Sequence, residues 1–292
     1  MFQDFIYMYY QTIVSSEVLL SQLVNPSWIV IDCRFDLADV EAGRRAYQSG
    51  HIAGAYYAHL DEDLSGPITP QSGRHPLPDP DVLCDTLGAW GVTPGSQVVV
   101  YDAAGGAIAA RLWWLLRWLG HQNVAVLDGG WQRWHSRAYP LQQSTSVTLP
   151  SHYPGEANHA RWLGSDQVAY ALEENEIVLL DARAAERFEG RVEAIDPVAG
   201  HIPGAINCPF QLNLDSKGCF KQPAQLWAEL QAVLKERSAD EVVHMCGSGV
   251  TACHNLLAME IAGLHGSSLY AGSWSEWIRD PARPLSLLKL DD

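Results

Sequence analysis

The chain has little positive charge. Its 19 lysines and arginines stand against 34 aspartates and glutamates in 292 residues, a formal net charge of −15. So acidic a body repels phosphate backbones and anionic lipid surfaces, which excludes nucleic acid and membrane as partners; an anionic small molecule then requires a local cluster of arginines. No apolar run reaches the roughly 20 residues of a spanning helix, and the most apolar stretch, 107–119, is interrupted by Arg111 and Arg117. The opening residues include Asp4 and lack both a basic start and a small-residue cleavage site, which reads as a cytoplasmic chain without a secretory leader. Cysteine never occurs as a CxxC pair. Cys33, Cys84, Cys208, Cys219, Cys246 and Cys253 are scattered, which argues against zinc-ribbon and thioredoxin-like chemistry and for free thiols in a reducing compartment. Neither a metal nor an organic cofactor is implied. With 47% hydrophobic and 18% charged residues, the chain has ample material for packed cores.

What is present is a repetition. Residues 28–34 (Trp-Ile-Val-Ile-Asp-Cys-Arg) match 177–183 (Ile-Val-Leu-Leu-Asp-Ala-Arg), and His51-Ile52-Ala53-Gly54-Ala55 matches His201-Ile202-Pro203-Gly204-Ala205. Residues 98–102, ending in Asp102, match 242–246, ending in Cys246, and Leu127-Asp128-Gly129-Gly130-Trp131 matches Tyr270-Ala271-Gly272-Ser273-Trp274. Four blocks recur in the same order at an offset of roughly 145 to 150 residues, too long for a solenoid unit, so each copy is a domain. The first spans residues 1–145 and the second 160–292. A Ser-, Thr-, Pro- and His-rich join lies within 140–162.

Each copy alternates short β-branched runs (29–32, 98–102 and 124–127; 177–181, 241–246 and 267–270) with helical patterns (80–90 and 107–119; 251–262). Nearly continuous apolar runs suit strands buried on both faces, and their alternation with helices defines an α/β protein: two tandem domains, each a parallel sheet with helices on both faces.

Ligands of open parallel sheets bind at the carboxyl ends of the strands. Cys246 stands at such an end, followed by the small loop Gly247-Ser248-Gly249-Val250-Thr251 and then a helix. Inward backbone N–H groups and a helix N-terminus stabilise a thiolate, and Gly247 and Gly249 allow the tight turns required. Taken alone, the segment also fits a buried structural cysteine.

The other blocks narrow the choice. His201–Ala205 and Tyr270–Trp277 resemble the two signatures of rhodanese domains, and residues 246–252 are similar to the active loop of 3-mercaptopyruvate sulfurtransferases. The resemblance covers nearly the whole chain. It implies two tandem rhodanese-like domains, the N-terminal one non-catalytic and the C-terminal one catalytic. Cys246 then takes sulfane sulfur as a persulfide from a small anionic donor, 3-mercaptopyruvate or thiosulfate. The acceptor is a thiol or cyanide, with thioredoxin among the protein thiols left open.

The resemblance also implies site roles. Arg187 matches the arginine that grips the donor's carboxylate or sulfonate, for which a guanidinium is suited. The family usually offers a second arginine slightly downstream; here the spacing differs, and Arg191 is the local candidate, with a solvated surface arginine as the equal alternative. Gly247, Gly249, Val250 and Thr251 form the substrate-facing loop, and the Ser248 hydroxyl is placed to help deliver a proton. His51 either faces the interdomain cleft or makes a fold-level hydrogen bond, as does His201. Arg74-His75-Pro76 is a cleft-loop candidate, Trp274 is read as packing with a place on the site wall as the alternative, and Cys253 is a core thiol. Arg183 is expected to pair with Asp181. Asp102 occupies the cysteine slot of the first copy, where it carries no sulfur and is expected to cap a helix. Thiosulfate-preferring members typically have Arg and Lys directly after the cysteine; Gly247 and Ser248 there favour 3-mercaptopyruvate, and adding the two cations is expected to shift selectivity toward thiosulfate. A phosphatase or arsenate reductase needs an arginine where Ala252 stands. A non-catalytic binding or sensor module is the remaining rival, and persulfide formation separates it from an enzyme.

Overall fold

The computed structural model of the protein describes residues 9–147 and 149–287; the first eight residues, read above for a leader, lie outside them. The first half contributes β1 (Ile13–Val14), α1 (Ser16–Gln22), β2 (Trp28–Asp32), α2 (Ala42–Ser49), β3 (His51–Ile52), β4 (Tyr56–Tyr57), α3 (Pro80–Ala89), β5 (Gln97–Tyr101), α4 (Ala109–Trp118), β6 (Val124–Leu127), α5 (Gly130–Ser136) and β7 (Leu141–Gln142). The second contributes β8 (Trp162–Leu163), α6 (Ser165–Glu173), β9 (Val178–Asp181), α7 (Ala185–Phe188), β10 (Ile206–Asn207), α8 (Pro223–Leu234), β11 (Val242–Met245), α9 (Ala252–Ile261), β12 (Ser268–Tyr270) and α10 (Ser273–Trp277).

Two five-stranded parallel sheets result, ordered β1-β6-β5-β2-β4 and β8-β12-β11-β9-β10, the same topology twice. β3 and β7 add a separate antiparallel pair. Successive side chains of a strand point to opposite faces, so a fully apolar strand feeds two cores. In β5, Val99 and Tyr101 join one cluster with Val30, Leu127 and Trp134, while Val98 and Val100 face the other way. β11 divides likewise, with Val243 and Met245 on one side and Val242 on the other. The inner faces of both sheets share a single apolar cluster, in which α4 packs against α9.

The six central strands and the helices α3, α4 and α9 lie where the sequence places them. The two-residue strands at the sheet edges were not expected, since two residues carry no period. The connecting segment folds back along the first domain: the Ser151 N–H donates to the Gly88 carbonyl, and Glu156 and Asn158 donate to Leu119 and Trp118 at the end of α4. A side chain at position 88 would lie 2.3 Å from the Ser151 carbonyl oxygen, so glycine permits that approach.

Candidate active site

Cys246 follows β11 directly and is nearly buried, 2% exposed, at the base of a cavity of about 250 Å³ between the domains. The second domain lines it with Ala182, Arg183, Ala184, Arg187, Phe210, Gln211 and the loop residues Cys246, Gly247, Ser248, Val250 and Thr251; the first supplies Leu37, Leu60, Arg74, His75 and Ile108. A larger interdomain groove of about 1080 Å³, walled by Trp118 and Trp162, contains none of the site residues expected from sequence.

The cysteine loop is held from behind by the start of α10. The Cys246 N–H donates to Ser273 Oγ at 3.1 Å, while the Cys246 and Gly247 carbonyls accept from the N–H groups of Trp274 and Ser275. Ser273 has φ +54, a conformation costly for a side-chain-bearing residue; its counterpart in the first domain is Gly130, at φ +49. The hydroxyl that binds the Cys246 N–H accounts for serine there. Gly249 has φ +76, and a Cβ on it would sit 2.2 Å from the Ala271 carbonyl oxygen, so only glycine fits.

The first domain shows what the same loop does without a cysteine. One oxygen of Asp102 accepts from the N–H groups of Ala104 and Gly106, the other from those of Ile108 and Ala109, all at 2.7–2.8 Å. The carboxylate fills the cradle and caps the first turn of α4, doing more than the expected helix cap. Gly105 of this loop accepts from His254 Nε2 on α9, which ties the carboxylate-filled loop to the helix behind Cys246.

Ser248 reaches across the interface. Its Oγ lies 2.7 Å from His75 Nδ1, and His75 Nε2 lies 3.1 Å from Asp61 Oδ1. Burial, followed by the nearby Arg111 and Arg74, lowers the His75 pKa to about 3, so the ring is neutral near pH 7. A neutral ring that donates from Nε2 to Asp61 presents Nδ1 as an acceptor, and the Ser248 O–H then donates to it. The three side chains form a hydrogen-bonded chain of the Ser–His–Asp kind, built from both domains.

The cations form a second group. Arg187 donates to both oxygens of Glu193 (2.9–3.2 Å) and to Asp196 Oδ2 at 2.9 Å. Arg74, from the first domain, pairs with the other Asp196 oxygen. A Cβ on Gly247 would lie 2.9 Å from Arg74 Nη2 and 3.5 Å from Arg187 Nη1, so both guanidinia converge over the loop. Burial pushes Glu193 up, but hydrogen bonds from Arg187 and from the Asp196 and Ile195 N–H groups outweigh it and hold the carboxyl below its usual range. Burial dominates at Asp196 and raises it despite Arg74 and Arg187. Arg183 pairs with Asp181 at 2.7 Å, as expected, and its guanidinium stacks 4.8 Å from the Trp274 ring. Arg34, Asp32 and Trp131 repeat that arrangement in the first domain.

At three positions the structure decides between alternatives that the sequence left open. Arg191 is turned outward and paired with Glu189, outside the cavity wall; the second cation is Arg74, which closes in from the other domain. His51 is fully buried with Nδ1 on the Tyr47 carbonyl at 2.7 Å and its ring stacked on Tyr47, away from the cavity. His201 makes the matching bond to Phe188, so both histidines are fold-level ties. Trp274 is fully buried and donates to the Val198 carbonyl, outside the cavity wall. Cys253 is a core thiol, as expected. Asp61, Asp196 and Ser273 were missed. Only Ser273 left a signal, as the residue opposite Gly130 in the repeat.

With this geometry in place, likeness to other proteins becomes informative. The rhodanese-like domain profile matches residues 15–137 and again 165–280. The chain is 48% identical over 276 residues to a probable 3-mercaptopyruvate sulfurtransferase of Pseudomonas aeruginosa, covering 94% of this chain and 97% of that one. It is 32% identical to the rat thiosulfate sulfurtransferase over 92% of this chain and 93% of the relative. The Escherichia coli 3-mercaptopyruvate sulfurtransferase SseA superposes with a TM-score of 0.79 at 29% identity, over 91% of this chain and all of that one. The chain belongs to the tandem-domain rhodanese family of sulfurtransferases.

Proposed function

We propose that the protein transfers sulfane sulfur from 3-mercaptopyruvate, in preference to thiosulfate, to a thiol or cyanide acceptor through a persulfide on Cys246. The observation that carries this is one cavity holding a strand-end cysteine, two convergent arginines and a serine–histidine pair backed by Asp61. Arg187 and Arg74 can share the donor's carboxylate, which directs the donor sulfur at Cys246 Sγ. The thiolate attacks that sulfur; the S–S bond forms as the C–S bond breaks, and the electron pair leaves with pyruvate as its enolate. Ser248, oriented by His75, hands its proton to the enolate, and its oxygen regains one from water. An acceptor thiolate or cyanide then attacks the outer sulfur and releases the Cys246 thiolate.

Donor preference follows from charge balance. Arg187 and Arg74 are matched by Glu193 and Asp196, so the pocket suits a single carboxylate better than a dianion. Thiosulfate leaves as sulfite and makes no use of the Ser248 proton. The space above Gly247 already holds two guanidinia, so Gly247→Arg would add a third like charge rather than fill a gap. The six cysteines are free and buried, which fits the reducing cytoplasm, and no helix among the described residues is long and apolar enough to cross a membrane. Acceptors include protein thiols such as thioredoxin. Measuring kcat/KM for both donors tests the reading: 3-mercaptopyruvate should have the higher value, and a higher value for thiosulfate would overturn the donor assignment.

A further inference from the structure

Arg111 lies on α4 of the first domain, fully buried behind the Cys246 loop. Its Nη1 donates to the Gly249 carbonyl at 3.1 Å, and its Nη2 to the carbonyls of His75 at 3.2 Å and Pro76 at 3.4 Å. Nε has no partner among the described residues. One guanidinium therefore joins the loop that carries Cys246 to the loop that carries His75, from a helix belonging to neither. Backbone carbonyls solvate a cation but do not neutralise it, and the ionisable groups near Arg111 are the Cys253 thiol, which hydrogen-bonds it, the Cys246 thiol and the His75 ring, none of them a carboxylate. A buried guanidinium without a carboxylate is among the costliest placements in a protein interior.

The surrounding charges show where its counter-ion is to be found. From the first domain's loop, Arg74 and His75 face Cys246; from the segment after β9, Arg183 and Arg187 do so, with Glu193 and Asp196 behind them. Each of those arginines has its own carboxylate, and Asp61 pairs with His75, whose ring is neutral. On α9, the Cys253 thiol donates to the Gly249 carbonyl at 3.4 Å, and burial pushes its pKa up to about 12. Burial keeps Cys253 neutral, and the carbonyl that Arg111 holds, Gly249, belongs to the loop that Cys246 heads, which makes Cys246 the sulfur that the guanidinium serves.

We propose that Arg111 is a positioning residue that ties the Cys246 loop to the His75 loop across the domain interface and supplies the countercharge for anionic sulfur on Cys246, thiolate and persulfide alike. The proposal rests on Cys246 as the sulfur carrier. A Cys246→Ser protein that still transfers sulfur sinks that assignment, whereas the outcomes below judge Arg111 with Cys246 intact.

The experiment follows iodoacetamide alkylation of the Cys246 peptide across pH in wild type, Arg111→Met and Arg111→Lys, alongside steady-state kinetics and thermal unfolding. Arg111→Met should unfold cooperatively, alkylate about tenfold more slowly at neutral pH, and show a profile displaced upward by about one pH unit. Its kcat should fall at least about tenfold while KM changes less than about threefold. Arg111→Lys should keep the wild-type profile, since the charge remains, yet lose kcat because an ammonium lacks the planar fork that spans both loops. A folded Met variant with the wild-type profile, or a Lys variant displaced as far as Met, overturns the proposal. Should neither variant fold, wild type decides at an ionic strength of about 1 M, where exposed charges are screened within about 3 Å. A buried countercharge leaves the profile in place, and an upward displacement of about one unit contradicts it.

Discussion

Ser248 and His75 meet at 2.7 Å across two domains, and in the proposed mechanism that contact separates the two donors. Departure of pyruvate requires a proton and departure of sulfite does not, so the pair should matter for one donor only. Ser248→Ala and His75→Ala should each lower kcat with 3-mercaptopyruvate by about 10²-fold. Thiosulfate turnover should change by less than about fivefold, within the scatter of ordinary binding-site substitutions. Parallel kinetics with both donors check this, and equal losses would show the pair to be structural. Cys246 was legible in sequence because strand, cysteine, glycines and helix form one contiguous segment. Asp61 and Asp196 were not, because each becomes functional only through a residue far along the chain: Asp61 through His75 and Ser248, Asp196 by bridging Arg187 and Arg74. Arg191 misled for the same reason. It is near Arg187 in sequence, but the turn after α7 directs it to solvent, where Glu189 holds it.

At the scale of elements, the two strand–loop–helix units share one topology with different fillings. In the first, the Asp102 carboxylate satisfies four backbone N–H groups and closes the loop; in the second, Cys246 leaves that position to a sulfur. Asp102→Ala orphans those donors and should cost roughly 2 to 4 kcal/mol of stability. Turnover per folded molecule should stay within about twofold, since Asp102 itself lies outside the reacting cavity and only Ile108 of its cradle touches it. Urea unfolding monitored beside active-site-titrated kinetics separates the two effects, and a chemical loss without a stability loss would contradict this account of the loop. The central strands were legible because both their faces are buried, so Val98 to Val100 and Val242 to Val243 are apolar without interruption. β1, β4, β8 and β10 were not, because pairing with a neighbour rather than composition makes them strands.

At the scale of the molecule, one core runs through both domains, and the cavity opens between them, so stability and activity are coupled through buried polar groups. His244, two residues before Cys246, is fully buried with Nε2 against Met259 Sδ, and burial lowers its pKa to about 3. An exposed histidine titrates near 6.5. Between those values the unfolded chain binds a proton that the folded chain refuses, so this group's contribution to stability is complete above about pH 6.5 and falls as the pH drops toward 3. His244→Gln removes that contribution. Its unfolding free energy should decline less steeply than that of wild type by about 1.4 kcal/mol per pH unit between about 6 and 4. Denaturant midpoints at several pH values give the two slopes, and parallel slopes would count against a neutral buried His244.

The duplication that specified both domains could be read directly, since four blocks recur in order. The way the copies close on each other could not, because the Ser248–His75 contact, the paired arginines and the Arg111 tie all cross the interface.

The most direct test is the mass of the Cys246 peptide after a short exposure of the purified protein to 3-mercaptopyruvate without acceptor. The account predicts a gain of one sulfur atom on Cys246 that is removed by cyanide or a thiol, and none on the other five cysteines. An unmodified Cys246 in protein that turns the donor over, or sulfur carried on another cysteine, would contradict it.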